Sequence, residues 1–175
     1  MALLFLFPIL LAAQPAGILP DWEIQKSAES LEKHTAAIES LLSQLRPQEW
    51  ISQGAPEAYV EQWKQTRQFN SYLTTQARLL ARDPAKLSVA LDAFLRVDHL
   101  QSLLESVAAG VRRYQNAALA DLLSSAMSQN SATRELLKDY TRQLVVEREK
   151  EWEIANREAQ RCRASLAKKP SQAKP

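Results

Sequence analysis

Apolar residues along this chain recur at spacings of three and four, and seldom in strict alternation. From Ile24 the series Ala28, Leu31, Thr35, Ile38, Leu42 and Leu45 keeps a heptad rhythm, with Leu41 widening the stripe. That rhythm places one face of an α-helix against a partner and the charged remainder in water. Asp21 after Pro20 is the expected N-cap and Pro47 the expected stop. Glu29 and Lys33, four apart, fall on the solvent side. Residues 47–55 read as a connector holding one helical turn around Trp50 before Gly54.

Pro56 then suits the first position of a second helix, whose stripe is Tyr59, Trp63, Thr66, Asn70, Leu73, Ala77 and Leu80. Asn70 falls on the seam. It is either a buried polar residue of the kind that fixes register between paired helices, or a partly exposed one beside Phe69 and Tyr72. Asp83-Pro84 marks a stop and a new start. A third helix follows with Leu87, Leu91, Phe94 and Leu95 on one face, and a break or kink is expected near Asp98. The period resumes through Leu100, Leu104, Val107, Val111, Tyr114 and Ala118. Gly110 stands inside this run, where glycine costs about 1 kcal/mol relative to alanine, so a close helix approach is expected there. Gln115-Asn116 offers a second break, and Ser128-Gln129-Asn130-Ser131 reads as a loop.

Beyond that loop a long helix is expected from about residue 132 to about 166. Its first half carries Leu137, Tyr140 and Leu144. Its second half carries a thinner stripe of Trp152, Ala155, Ala159, Cys162 and Leu166, set among charges. The fold class follows: an all-α bundle of four to six helices with coiled-coil-like seams and a long charged C-terminal helix. Composition supports it. With three glycines in 175 residues, the tight turns of a β-sandwich or a doubly wound sheet have few residues to make them.

Met1–Ala13 is an apolar run without a charged residue, with Pro8 inside it, followed by Gln14, Pro15, Ala16 and Gly17. It is too short for a membrane-spanning helix, which takes about 20 apolar residues. It has the layout of a signal peptide, although no Lys or Arg precedes it and no small-x-small triplet marks a cut. Residues 1–19 are therefore expected to be a leader, 20–166 a single helical domain and 167–175 a disordered basic tail. The mature protein is expected to be periplasmic or secreted, and not membrane-spanning once the leader is removed.

Charge is uneven along the chain. Residues 157–175 hold six Lys or Arg against one Glu, whereas the rest of the chain is mildly acidic. The single cysteine, Cys162, has no internal partner, so in an oxidising compartment it is free or bridges two chains. Arg161 and Arg163 beside it favour the thiolate.

Catalytic chemistry finds little footing. The two histidines, His34 and His99, lack the spacing of a metal-ligand pair, and no second cysteine completes a metal knuckle. No two glycines fall close enough for a phosphate-cradling loop. Neither a catalytic residue nor a cofactor or metal site is assigned, and no small-molecule substrate is evident. The basic stretch carries no aromatics for base stacking, which with export argues against nucleic acid.

The expected role is non-catalytic: protein–protein interaction or a structural part. The candidate partner-helix face is Trp152, Ala155, Ala159, Cys162 and Leu166, open to an unknown protein or to a second copy through a homodimer of C-terminal helices. The alternative is a holdase-like chaperone or binder of anionic envelope surfaces, using Trp50, Trp63, Trp152 and the basic tail.

Overall fold

The computed structural model describes residues 18–167. The leader expected at residues 1–19 falls outside them except for its last two residues, as does all of the basic tail beyond residue 167. Among the described residues there are five helices and no strand: α1 (Asp21–Leu42), α2 (Pro47–Ile51), α3 (Ala58–Arg82), α4 (Leu87–Tyr114) and α5 (Ala117–Ala167). The four long helices form a closed ring, with α1 against α3, α3 against α4, α4 against α5 and α5 back against α1. Short connections make sequential neighbours antiparallel, so this is an up-down-up-down bundle.

The heptad stripes become the core. Ile24, Ala28, Leu31, Thr35, Ile38 and Leu42 of α1 are all buried, as are Thr66, Asn70, Leu73, Ala77 and Leu80 of α3. Each fully buried leucine or isoleucine contributes roughly 1.5–3 kcal/mol of transfer free energy. Asn70 takes the buried alternative. Its Nδ2 donates to the Thr35 carbonyl at 2.9 Å, and Thr74 Oγ1 donates to Thr35 Oγ1 at 2.8 Å. These bonds join α1 to α3 at one axial level, because sliding either helix by a turn would strand the amide without its acceptor. Arg67–Glu39 and Arg78–Glu32 ion pairs flank this polar layer.

At the end of the bundle where α1 and α4 finish, Trp50 from α2 is buried between Tyr59 and Tyr114, with ring centroids 5.9 and 6.4 Å away. Gly110 makes room for them. A Cβ there would stand 2.7 Å from Tyr59 Cε1 and 3.0 Å from Trp50 Cζ3. The close approach expected from the sequence is thus met by aromatic rings. Gln115 ties the same end together: its Oε1 accepts from Arg46 N–H (3.0 Å) and Trp50 Nε1 (3.1 Å), and its Nε2 donates to the Gln44 carbonyl (3.0 Å). Gly54, at φ +89°, turns the chain out of α2.

Several expected boundaries shift. α1 ends at Leu42, before a turn, rather than at Pro47, and Asp21 is its first residue with Pro20 as the cap. Pro56 and Pro84 sit in turns ahead of α3 and α4 instead of opening them. The break expected near Asp98 is absent, since α4 runs unbroken from Leu87 to Tyr114. Asp98 does not cap; its carboxylate receives Arg134 Nη1 of α5 at 3.1 Å, and Val97 and Leu100 hold the local face in the core.

The expected loop at Ser128–Ser131 is also wrong. α5 begins at Ala117, with Asn116 Oδ1 accepting from the Ala118 (2.8 Å) and Leu119 (3.3 Å) amides, and continues through the serines. Ser124, Ser128 and Ser131 turn their hydroxyls back to the carbonyls of Ala120, Ser125 and Ser128, satisfying themselves within the helix. Leu123, Asn130 and Leu137 meanwhile stay on the buried face. Tertiary burial outweighs the local preference of a serine-rich stretch.

Candidate functional site

α5 has 51 residues, which gives a length of roughly 75 Å. Only its first part is covered by the bundle. The last buried side chain is Leu144, and every residue from Arg148 to Ala167 is exposed. The final twenty residues form an arm extending about 30 Å past the body.

The arm leaves from the end of the bundle that holds the start of α1 and the α3–α4 turn. Buried Tyr140 donates its hydroxyl to the Pro84 carbonyl at 3.0 Å, and Arg148 Nη2 donates to the Ala85 carbonyl at 3.2 Å. These bonds fix the direction in which the arm emerges. Burial raises the Tyr140 phenol above its ordinary pKa, and Asp21 adds to the rise. On the opposite flank Ile18 meets Val146, Arg142 and Lys150 across a groove of about 370 Å³.

All five residues of the expected partner face lie on the arm, and all five are exposed: Trp152 (68%), Ala155, Ala159, Cys162 and Leu166 (63%). Their spacings of 3, 4, 3 and 4 keep them on one side of the helix. Ala155 and Cys162 stand eleven and eighteen residues beyond Leu144, close to three and five whole turns. The stripe therefore continues the α5 face that, within the bundle, packs through Leu123, Leu137 and Leu144. Cys162 carries a free, exposed thiol.

Charges divide along the arm. From Glu147 to Glu153 four carboxylates face two cations, and the pairs Lys150–Glu147 (2.9 Å) and Arg148–Glu151 (2.6 Å) are local to the helix. From Arg157 to Arg163 three arginines stand against one glutamate. The arm is acidic at its base and basic toward its tip.

Sequence reasoning missed the apolar collar at the base: Ile18, Val145, Val146 and Ile154 are exposed there, and Trp22 on α1 is 64% exposed. Val145-Val146 directly after Leu144 was the available signal, since three adjacent apolar residues overfill one helix stripe. The aromatic set expected for a holdase surface is not together. Trp50 is in the core, and half-buried Trp63 donates Nε1 to the Leu42 carbonyl at 2.8 Å, so of the three only Trp152 faces solvent.

His34 is half-buried and His99 is exposed against Phe69, with ring centroids 4.3 Å apart. Among the described residues no three His, Cys, Asp or Glu side chains gather where a metal ion could be held, and no helix is long and apolar enough to cross a membrane. Comparison with protein-family models, with curated proteins and with solved structures found no match.

Proposed function

We propose that the chain is an exported, non-catalytic interaction protein, in which the four-helix body serves as a base and the 148–167 arm docks onto a helix of another polypeptide. One observation carries this reading: a twenty-residue helical extension whose apolar stripe prolongs the packed face of the bundle while nothing among the described residues covers it. An isolated helix of this length is marginal in water, because nucleation is costly and most helical stability comes from packing. A long helix held out from the body makes physical sense when a second surface completes it. Export rests on the apolar run Met1–Ala13 and the short turn-prone segment behind it.

The test compares the full chain with one ending at Arg148, both expressed in their native cell. The body should melt at the same temperature in the two chains, while the assembly found with the full chain disappears with the shorter one. If the shorter chain assembled equally well, the arm would not be the docking element. A mature N-terminus between Gln14 and Pro20 is expected from intact mass, and an uncut chain would remove export from the reading.

A further inference from the structure

The arm's own pattern identifies its partner, and this step rests on the docking role proposed above. We infer that the occupant of the stripe is the same segment of a second copy, running antiparallel.

Charge favours this orientation. Laid antiparallel, Glu149 of one copy flanks the seam beside Arg163 of the other, and the two-fold axis repeats the match. In a parallel pair Glu149 of one copy and Arg163 of the other would stand fourteen positions apart, about 21 Å, and could not meet. Within the chain the base satisfies part of its charge through Lys150–Glu147 and Arg148–Glu151, whereas Arg161 and Arg163 make no ion pair among the described residues. Of the two, Arg163 flanks the stripe, and its guanidinium is available to a partner docked there.

Side-chain size along the stripe agrees with the antiparallel orientation. The stripe reads Trp152, Ala155, Ala159, Cys162, Leu166: large at both ends, small in the middle. In antiparallel pairing about a centre near residue 157, Ala155 faces Ala159 of the second copy, and Trp152 faces its Cys162. Small central residues let the two backbones approach, and the large side chains close the ends. Leu166 at the tip then faces position 148, beside the exposed Val145 at the base of the other arm. The overlap uses the whole projecting length and stops where each body begins, so neither bundle obstructs the other.

This geometry decides the role of Cys162. Its counterpart is position 152, so the two Cys162 residues are ten positions apart along the paired helices, about 15 Å. A disulfide needs Cα atoms within about 7 Å, so Cys162 packs as a small apolar residue and does not bridge the copies.

The experiment uses the full chain. Sedimentation velocity over a hundredfold concentration range should show a monomer–dimer equilibrium. Mild oxidation should leave the native chain uncrosslinked but convert W152C to a reducible covalent dimer, through residue 152 of each copy and Cys162 of the other. E149R should weaken the dimer at least tenfold, and E149R with R163E should recover most of that loss. The expected result is all three together. Rapid Cys162-to-Cys162 crosslinking of the native chain, without enhancement in W152C, would establish a parallel pair and overturn the proposal. A monomer at every concentration would also overturn it. In that case the docking role is judged separately by the Arg148-terminated chain, whose loss of native assembly would point to a different protein as the partner.

Discussion

The two halves of α5 share one backbone and obey different rules. From Ala117 to Glu147 the helix carries serines and asparagine that favour turns, yet it is held because Leu119, Leu123, Leu137 and Leu144 are buried against the bundle. From Arg148 to Ala167 it consists mostly of good helix formers, among them Glu, Lys, Arg, Gln and Ala, and buries nothing. The body half is fixed by its neighbours in spite of its composition. The arm has the composition and no neighbour among the described residues. Propensity and packing are separable contributions, and a single helix here displays each nearly alone.

That contrast breaks first under truncation of side chains. L137A in the body should lower stability by about 2–5 kcal/mol, whereas L166A on the arm should change it by less than about 0.5 kcal/mol. Chemical denaturation of the two variants reads the difference directly. At a concentration where the chain is monomeric, comparable losses would mean that the arm is packed on its own body.

Smaller effects sharpen the description of the body. G110A forces a methyl group against Tyr59 and Trp50. Overpacking of about 1–3 kcal/mol exceeds the helix-propensity gain of about 1 kcal/mol, so the thermal midpoint should fall. A rise would show that the aromatic rings yield freely. Asn130 is buried in α5 with no hydrogen-bond partner for its Oδ1. N130L should therefore stabilise the chain by about 1 kcal/mol, as an unpaired buried acceptor is replaced by apolar volume. A clear loss of stability would mean that the amide is doing something the leucine cannot.

Two pH effects complete the series. The Tyr140 phenol has a raised pKa in the folded chain, so its contribution is intact below the unfolded value of about 10 and is lost as pH rises through the folded one. Unfolding titrations should show alkaline weakening in the native chain and a flatter profile in Y140F. The smallest effect belongs to exposed Glu135, whose carboxyl is held below its usual range by hydrogen bonds from Lys138 and Arg134. Its contribution is present above about pH 4.3 and fades as pH falls through the folded value. E135Q should remove only a slight acid dependence.

Much of the fold was legible in the sequence wherever apolar spacing carried it. The α1 stripe from Ile24 to Leu42 and the α3 stripe from Thr66 to Leu80 coincide with the buried residues, and the break at Gln115-Asn116 stands between α4 and α5. Apolar spacing misled in the first half of α4, where the expected face of Leu87, Leu91, Phe94 and Leu95 gives way to Ala90, Ala93 and Val97 in the core, with Leu91 and Leu95 exposed because the small residues let the neighbouring helices pack closely. The other errors arose where local chemistry was trusted over burial. Asp98 suggested a cap, but Arg134 from a distant part of the chain takes its carboxylate. The serines at 128–131 suggested a loop, but their hydroxyls close onto the helix's own carbonyls. Gln115 shows the other limit: its bonds to Arg46, Trp50 and Gln44 span some seventy residues of sequence, and no local pattern announces them. The arm's stripe could be read directly, because its residues are all on one helix. Its apolar collar could not, since Ile18 and Val146 meet only in space.

The most direct test of the central claim is amide hydrogen exchange of the full chain at low and high concentration. When the chain is dilute, amides of residues 117–147 should be protected to the limit of global unfolding, while those of 150–167 exchange rapidly, as expected of an uncovered helix. Raising the concentration should slow exchange in the arm and leave the body unchanged. Strong arm protection in the dilute monomer, or no response to concentration, would contradict the account of the arm as a surface completed by a second copy.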